Sequence, residues 1–337
     1  MMQPYRDPTA DHIQYLILSD YGDIDLLINS TPMPTVICLV DHIHGFDVNL
    51  YNKMLSQLDA LACDRKVLLT VIYQGKLEEK IRKQYPNLLF KFDPLIPGLH
   101  YRAFTQYRQH PPIDIQNFIC SFNGSDHVSR KLLTAALHRR GWFDTQLSTK
   151  NFVMAVDSVD GHVSDYMGDK SRLYRKFFIG DDSADFFKNI YSHGWVRFEH
   201  NKNVVTLSQI LTKCFVHVVS ETMSTSYAPF VTEKSLYSIV NRGLFLTYGQ
   251  PGWHDYVEQY HGFKKYTKIF DYRFDAILNP VERLIALLDE LSKFSKLSAT
   301  DWQDLYEMEI DTIEHNYNHY HSGRFFHQLE KQYDYRP

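Results

Sequence analysis

The stretch TVICLVDHIHGFDVNLYNKMLSQLDALACDRKVLLTVIY, residues 35–73, decides the fold. Its two β-branched apolar runs, residues 35–40 and 67–73, have the length of buried strands. Between these runs, apolar residues recur at helical spacing: Leu50, Met54, Leu55, Leu58 and Leu61. This β-α-β pattern predicts an α/β fold in which helices cover both faces of a mostly parallel sheet. The first lobe is therefore predicted to be Rossmann-like.

The same alternation of strands and helices resumes further along the chain. A proline-rich stretch over residues 94–112 indicates a lobe boundary, and the run IQNFICSF begins a new strand at about Ile115. The helical pattern RKLLTAALHRRGWF follows, with Gly141 as its expected C-terminal cap. We predict a first lobe over residues 1–113, a second Rossmann-like lobe over 114–300 and a helical segment over 301–337 that packs across both lobes.

Length and composition limit the possible classes of protein. The chain has 337 residues, and at roughly 150 residues per domain this favours two lobes facing a cleft. Hydrophobic residues make up 44% and charged residues 23%, which is typical of a globular protein. The formal net charge of −4 argues against a broad nucleic-acid surface.

Cysteine usage and hydropathy favour a cytoplasmic location. The four cysteines (Cys38, Cys63, Cys120 and Cys214) are scattered, so neither disulfides nor a zinc site is expected. The chain shows neither a signal-peptide pattern at its start nor a window of about 18 apolar residues that could span a membrane.

The first cluster with chemical potential is SFNGSDHVSRKLL, residues 121–133, a polar turn between a predicted strand and a helix. Free N–H groups and the positive end of a helix attract an anion, and Arg130 can hold it through two parallel hydrogen bonds. A solvated turn with a surface ion pair is the alternative interpretation of this cluster alone.

The second cluster lies in residues 220–252, SETMSTSYAPFVTEKSLYSIVNRGLFLTYGQPG. An apolar strand leads into a polar loop, and Thr232 is placed to cap the helix that begins with Glu233 and Lys234. Such a start can present N–H groups and Lys234 to a diphosphate, while Glu233 accepts from a ribose or sugar hydroxyl. A helix whose Glu233 complements the dipole and whose Lys234 is solvated is the simpler alternative.

The two clusters together resemble the fucosyltransferase family that carries a Thr-Glu-Lys donor-site motif. The matching segments are residues 220–222 at a strand end, residues 230–234 in the motif, and Arg130 after the turn CSFNG. The resemblance covers about residues 115–265, the donor lobe. Thr222 stands where the family has Asn, so another GDP-sugar or a CMP-sugar stays open as the donor.

The resemblance implies an enzyme of the GT-B type, with two Rossmann-like lobes and a nucleotide-sugar, GDP-sugar favoured, as the donor. No prosthetic group and no metal are expected. The residues assigned to the donor on this basis are Asn123, Arg130, Glu221, Phe230, Thr232, Glu233 and Lys234.

The catalytic base is expected in the first lobe, because an inverting displacement needs a group that deprotonates the acceptor hydroxyl. The segment DHIHGFD, residues 41–47, follows a strand end, where functional loops of α/β sheets lie. Asp41, His42 and His44 are the candidates. Two histidines without a third ligand do not predict a metal site, and the pair Asp181-Asp182 lacks the spacing of an Asp-x-Asp metal motif.

We therefore predict an inverting, metal-independent glycosyltransferase that acts on a glycan hydroxyl. A non-catalytic nucleotide- or carbohydrate-binding protein and a phosphotransferase on the same scaffold are the alternatives, since a fold does not dictate a reaction.

Overall fold

The computed structural model describes residues 13–16, 36–40, 48–65, 68–73, 83–92, 111–192, 200–221, 229 and 231–324. The chain divides into two compact units. The first comprises Met1–Ile96 with Thr225–Phe230, and the second comprises Pro97–Ser224 with Val231–Pro337.

The first unit contains a parallel four-stranded sheet in the order β1-β2-β3-β4. Its elements are β1 (Ile13–Leu16), β2 (Val36–Val40), α1 (Val48–Arg65), β3 (Leu68–Tyr73) and β4 (Leu88–Phe92). Helix α1 buries Leu55, Leu58 and Leu61, three of the residues at the predicted helical spacing. The β-α-β prediction over residues 35–73 is confirmed.

The second unit is built on a parallel three-stranded sheet in the order β5-β8-β9 and on the parallel pair β6-β7. These strands are β5 (Asn117–Cys120), β6 (Phe122–Asn123), β7 (Thr149–Lys150), β8 (Cys214–Ser220) and β9 (Phe245–Tyr248). Every residue of the central strand β8 is buried. This is the pattern expected of a parallel strand that is covered on both faces.

Helices follow or connect these strands along the chain. They are α2 (Val128–Arg139), α3 (Val156–Met167), α4 (Ser171–Arg175), α5 (Ser183–Lys188), α6 (His200–Leu211), α7 (Glu233–Val240), α8 (Trp253–Tyr256), α9 (Pro280–Ser292), α10 (Ala299–Met308) and α11 (Ile310–His321). A π-helical turn spans Val257–His261, and 3₁₀ turns span Gly168–Lys170 and Tyr272–Ala276.

Helix ends fall where the local sequence places them. Gly141 follows α2 with φ +70°, and its N–H donates to the His138 carbonyl at 2.9 Å, which is the left-handed cap that glycine favours. The Asn279 side chain accepts from the N–H of Val281 at 2.9 Å, and Pro280 is the first residue of α9. The cap at Gly141 was predicted, and the Asn279-Pro280 pair is the local signal for the start of α9.

The C-terminal helices α10 and α11 pack within the second unit. Trp302 of α10 stacks on Phe118 and Phe215, with ring centroids 5.7 and 6.4 Å apart, and α11 packs on α7. The α/β class and the parallel sheets are confirmed. The two-lobe cleft, the boundaries at residues 113 and 300, and the packing of the C-terminal segment across both lobes stay predictions.

Candidate functional site

The candidate site lies at the carboxyl end of β8, where the first turns of two helices meet. Ser129, in the first turn of α2, donates a hydrogen bond to the Glu221 carbonyl at 2.9 Å. Ser235, in the first turn of α7, donates to the Glu221 carboxylate at 3.2 Å. Because the strands are parallel, their carboxyl ends share one edge, and this is the edge at which open α/β sheets bind ligands.

Glu221 is the centre of this site. Its side chain is fully buried, and Thr232 Oγ1 donates to its Oε2 at 2.6 Å. Burial raises the pKa of Glu221, while the charge of Lys234 and the hydrogen bond from Thr232 act in the opposite direction. Burial, the largest effect, therefore favours the protonated form of Glu221, and the nearby charge of Glu233 acts in the same direction.

Thr232 connects the buried carboxylate to the start of α7. It is the N-cap residue, and its hydroxyl oxygen accepts from the Lys234 N–H at 3.4 Å and from Lys234 Nζ at 3.1 Å. Lys234 Nζ also lies 3.0 Å from Glu233 Oε1, with 14% of the lysine side chain and 18% of the glutamate side chain exposed. The capping role predicted for Thr232 is confirmed.

Arg130 approaches the same place from α2. It is only 3% exposed, and burial lowers its pKa, while the carboxylates of Glu233, Glu221 and Asp126 counteract that shift. Arg130 and Lys234, distant in sequence, therefore act on the same two carboxylates. We call Arg130, Glu221, Thr232, Glu233 and Lys234 the Glu221 cluster.

Asn123 supports the strand end next to this cluster. Its Nδ2 donates to Ser121 Oγ at 3.0 Å, and Ser121 Oγ donates to the Val218 carbonyl at 2.7 Å. Within the described residues, the fully buried Asn123 Oδ1 has no hydrogen-bond partner. These hydrogen bonds connect the β6 segment to β8, so Asn123 has a structural role whether or not it binds a ligand.

Several residues predicted from the sequence lie outside the described part of the chain. They are Asp41, His42 and His44, the candidate bases, and Phe230, assigned to the donor. Their roles stay predictions, as does the donor-binding role of the Glu221 cluster.

The sequence reasoning missed the hydroxyls of Ser129 and Ser235. Ser235 lies three residues after Thr232, so both hydroxyls lie on one side of the first turn of α7. This spacing could have identified Ser235 as a site residue. The hydrogen bond from Ser129 to Glu221 depends on the packing of α2 against the end of β8, which local sequence cannot predict.

A second missed group is the buried pair His254 and Asp275. His254 Nδ1 lies 3.1 Å from Asp275 Oδ1, and His254 Nε2 accepts from the Thr247 N–H at 3.1 Å. The backbone N–H of His254 donates to Asp275 Oδ2 at 2.9 Å. These contacts hold β9 to the chain that follows it.

Among the described residues, no group of three or more His, Cys, Asp or Glu side chains could hold a metal ion, and no described helix has both the length and the apolar character to cross a membrane. No family model, curated protein or solved structure matches the chain.

Proposed function

We propose that this protein is an inverting, metal-independent glycosyltransferase whose nucleotide-sugar donor, GDP-sugar favoured, binds its diphosphate at the Glu221 cluster. One observation carries the proposal: Arg130 and Lys234 stand near the starts of α2 and α7, the two helices whose first turns contact Glu221 at the carboxyl end of β8.

The cluster has the chemistry that a departing nucleoside diphosphate requires. When the bond to the sugar breaks, negative charge develops on the diphosphate, and fixed cations stabilise this charge most strongly where water is largely excluded. Arg130 can provide two parallel hydrogen bonds, and Lys234 supplies a compact point charge. The N–H groups at the start of α7 add a positive partial charge.

The acceptor side of the proposal rests on residues 41–47. Asp41, His42 or His44 would deprotonate the glycan hydroxyl, which then attacks the anomeric carbon from the face opposite the diphosphate. The oxygen–carbon bond forms as the bond from that carbon to the diphosphate breaks, and the configuration inverts.

The first experiment is a nucleotide screen by thermal denaturation. GDP, UDP, CMP and dTDP are each added to the wild type, to Lys234→Ala and to Lys265→Ala. Lys265 is the matched control, because it also forms ion pairs with carboxylates and its side chain is 19% exposed. A ligand at a hundredfold excess over its dissociation constant adds about 2.7 kcal/mol to the free energy of unfolding.

We expect one nucleotide to raise the melting temperature of the wild type and Lys265→Ala but not of Lys234→Ala. If none of the nucleotides shifts the wild type, the proposal is wrong. A labelled nucleotide-sugar then shows whether sugar or phosphate is transferred, and Asp41→Ala, His42→Ala and His44→Ala identify the base. Binding without any transfer would support the non-catalytic alternative.

A further inference from the structure

Glu233 occupies a position where an anionic ligand would be expected. Glu233 and Lys234 are the first two residues of α7, and adjacent residues do not face each other on a helix. Their contact at 3.0 Å therefore requires both side chains to converge near the helix start. That end of a helix carries a positive partial charge, which stabilises a negative charge.

The same carboxylate also acts on Arg130. Among the charges around the Arg130 guanidinium, that of Glu233 has the largest effect on its pKa, ahead of Glu221 and Asp126. Glu233 thus forms an ion pair with Lys234 and, of the nearby carboxylates, has the largest electrostatic effect on Arg130. Glu221 differs, because it is fully buried and is held by Thr232 and Ser235.

We propose that Glu233 is an internal counter-anion, which pairs with Lys234 at the start of α7 until a diphosphate displaces it. This inference rests on the proposed function. The displaced carboxylate becomes free to accept a ribose hydroxyl. When a nucleoside diphosphate binds, the Glu233–Lys234 ion pair is lost, and the hydrogen bond from the ribose to Glu233 compensates for that loss. Free pyrophosphate has no ribose, so the ion pair is lost without compensation. Glu233 therefore makes the site select nucleoside diphosphates over free pyrophosphate.

The test compares the affinity of inorganic pyrophosphate and of GDP for three proteins by calorimetry. They are the wild type, Glu233→Gln and Glu258→Gln. Glu258 is a matched control, since it pairs with Lys265 at 3.3 Å outside the cluster and its substitution changes the net charge equally.

We expect Glu233→Gln to bind pyrophosphate about tenfold more tightly than the wild type, the size of one partly buried ion pair. GDP gains less, because the glutamine accepts from ribose more weakly than a carboxylate, so the preference for GDP over pyrophosphate narrows. Glu258→Gln keeps the wild-type affinities.

A second measurement follows the Lys234 amine itself. Acetylation of Lys234, measured by mass spectrometry, is expected to be faster in Glu233→Gln than in the wild type, and pyrophosphate is expected to protect the amine. Equal acetylation rates would contradict the ion pair.

The possible failures are distinguishable. If the wild type binds GDP but Glu233→Gln gains no affinity for pyrophosphate, the counter-anion role is wrong and the proposed function stands. If neither protein binds either probe, this inference is overturned along with diphosphate binding at the cluster. Pyrophosphate binding that appears only in Glu233→Gln would support the counter-anion directly.

Discussion

Replacing Thr232 with valine removes one hydroxyl and keeps the shape of the side chain. That hydroxyl donates to the buried Glu221 carboxylate at 2.6 Å and accepts from the Lys234 N–H at 3.4 Å. Thr232 itself is 5% exposed, so water does not readily replace the lost partner. Among the described residues, the variant leaves the Glu221 carboxylate with one side-chain hydroxyl donor, Ser235.

The expected loss of stability follows from these contacts. Removing an N-cap hydroxyl costs about 1 kcal/mol, and removing a hydrogen bond to a charged group costs about 1.5–3 kcal/mol. Thr232→Val should therefore lower the free energy of unfolding by about 2.5–4 kcal/mol. For a unit of this size, that corresponds to a fall in melting temperature of about 5–15 °C.

Urea denaturation at pH 7 measures this loss, with Thr232→Ser as the matched control. Serine keeps the hydroxyl and loses one methyl group, so its cost should stay below about 1 kcal/mol. A Thr232→Val protein within 1 kcal/mol of the wild type, or a serine variant as unstable as the valine variant, would refute the reasoning.

The difference in unfolding free energy between the wild type and Thr232→Val is predicted to depend on pH. Because burial raises the native pKa of Glu221, this group contributes stability that is present at low pH and lost as pH rises through the native pKa. A protonated Glu221 accepts a weaker hydrogen bond from Thr232. The difference between the wild type and Thr232→Val should therefore shrink as pH falls through the titration of Glu221, and a constant difference would contradict the assignment.

Two further predictions concern the framework of the second unit. Burial lowers the pKa of Lys150 to about 8, whereas an unfolded lysine titrates at about 10.4, so this group makes the free energy of unfolding rise with pH between those values. Urea denaturation from pH 7.5 to 9.5 should show this rise in the wild type relative to Lys150→Met. Gly141→Ala should cost about 1 kcal/mol because φ is +70° there, whereas Gly161→Ala, inside α3 with no atom near the added Cβ, should add about 0.5–1 kcal/mol.

Each of these predictions has a clear contrary result. Parallel pH profiles for the wild type and Lys150→Met would mean that Lys150 titrates normally in the folded protein. Equal effects of the Gly141 and Gly161 substitutions would mean that the left-handed cap does not constrain the end of α2.

Local features of the fold were predictable from the sequence. The β-α-β unit of residues 35–73, the cap at Gly141, the start of α9 at Pro280 and the capping role of Thr232 all depend on residues a few positions apart. Steric limits on φ, hydrogen bonds to free N–H groups and hydrophobic periodicity act over such short spans. Arg130 and Lys234 were selected on similar local grounds, because each follows an apolar strand at the start of a helix, and their donor-binding role stays a prediction.

Other features required the tertiary structure. Lys150 gave no sign in the sequence of being fully buried, yet its ammonium donates to the carbonyls of Phe152 at 2.8 Å and of Phe187 at 3.2 Å, and also to that of Asn189. Those acceptors lie on different segments. Their convergence depends on how β7 and α5 pack, which no local pattern reports.

Local sequence patterns predicted the helix starts at α2 and α7 and the charged residues that stand there. The packing of α7 on β8 is what buries the Glu221 carboxylate at the strand end, where Thr232 and Ser235 donate to it. The reason is that the sequence sets the charge of each side chain, whereas the energy of a charge depends on its distance from other charges and on its exposure to water, and both are fixed only when α2, β8 and α7 come together.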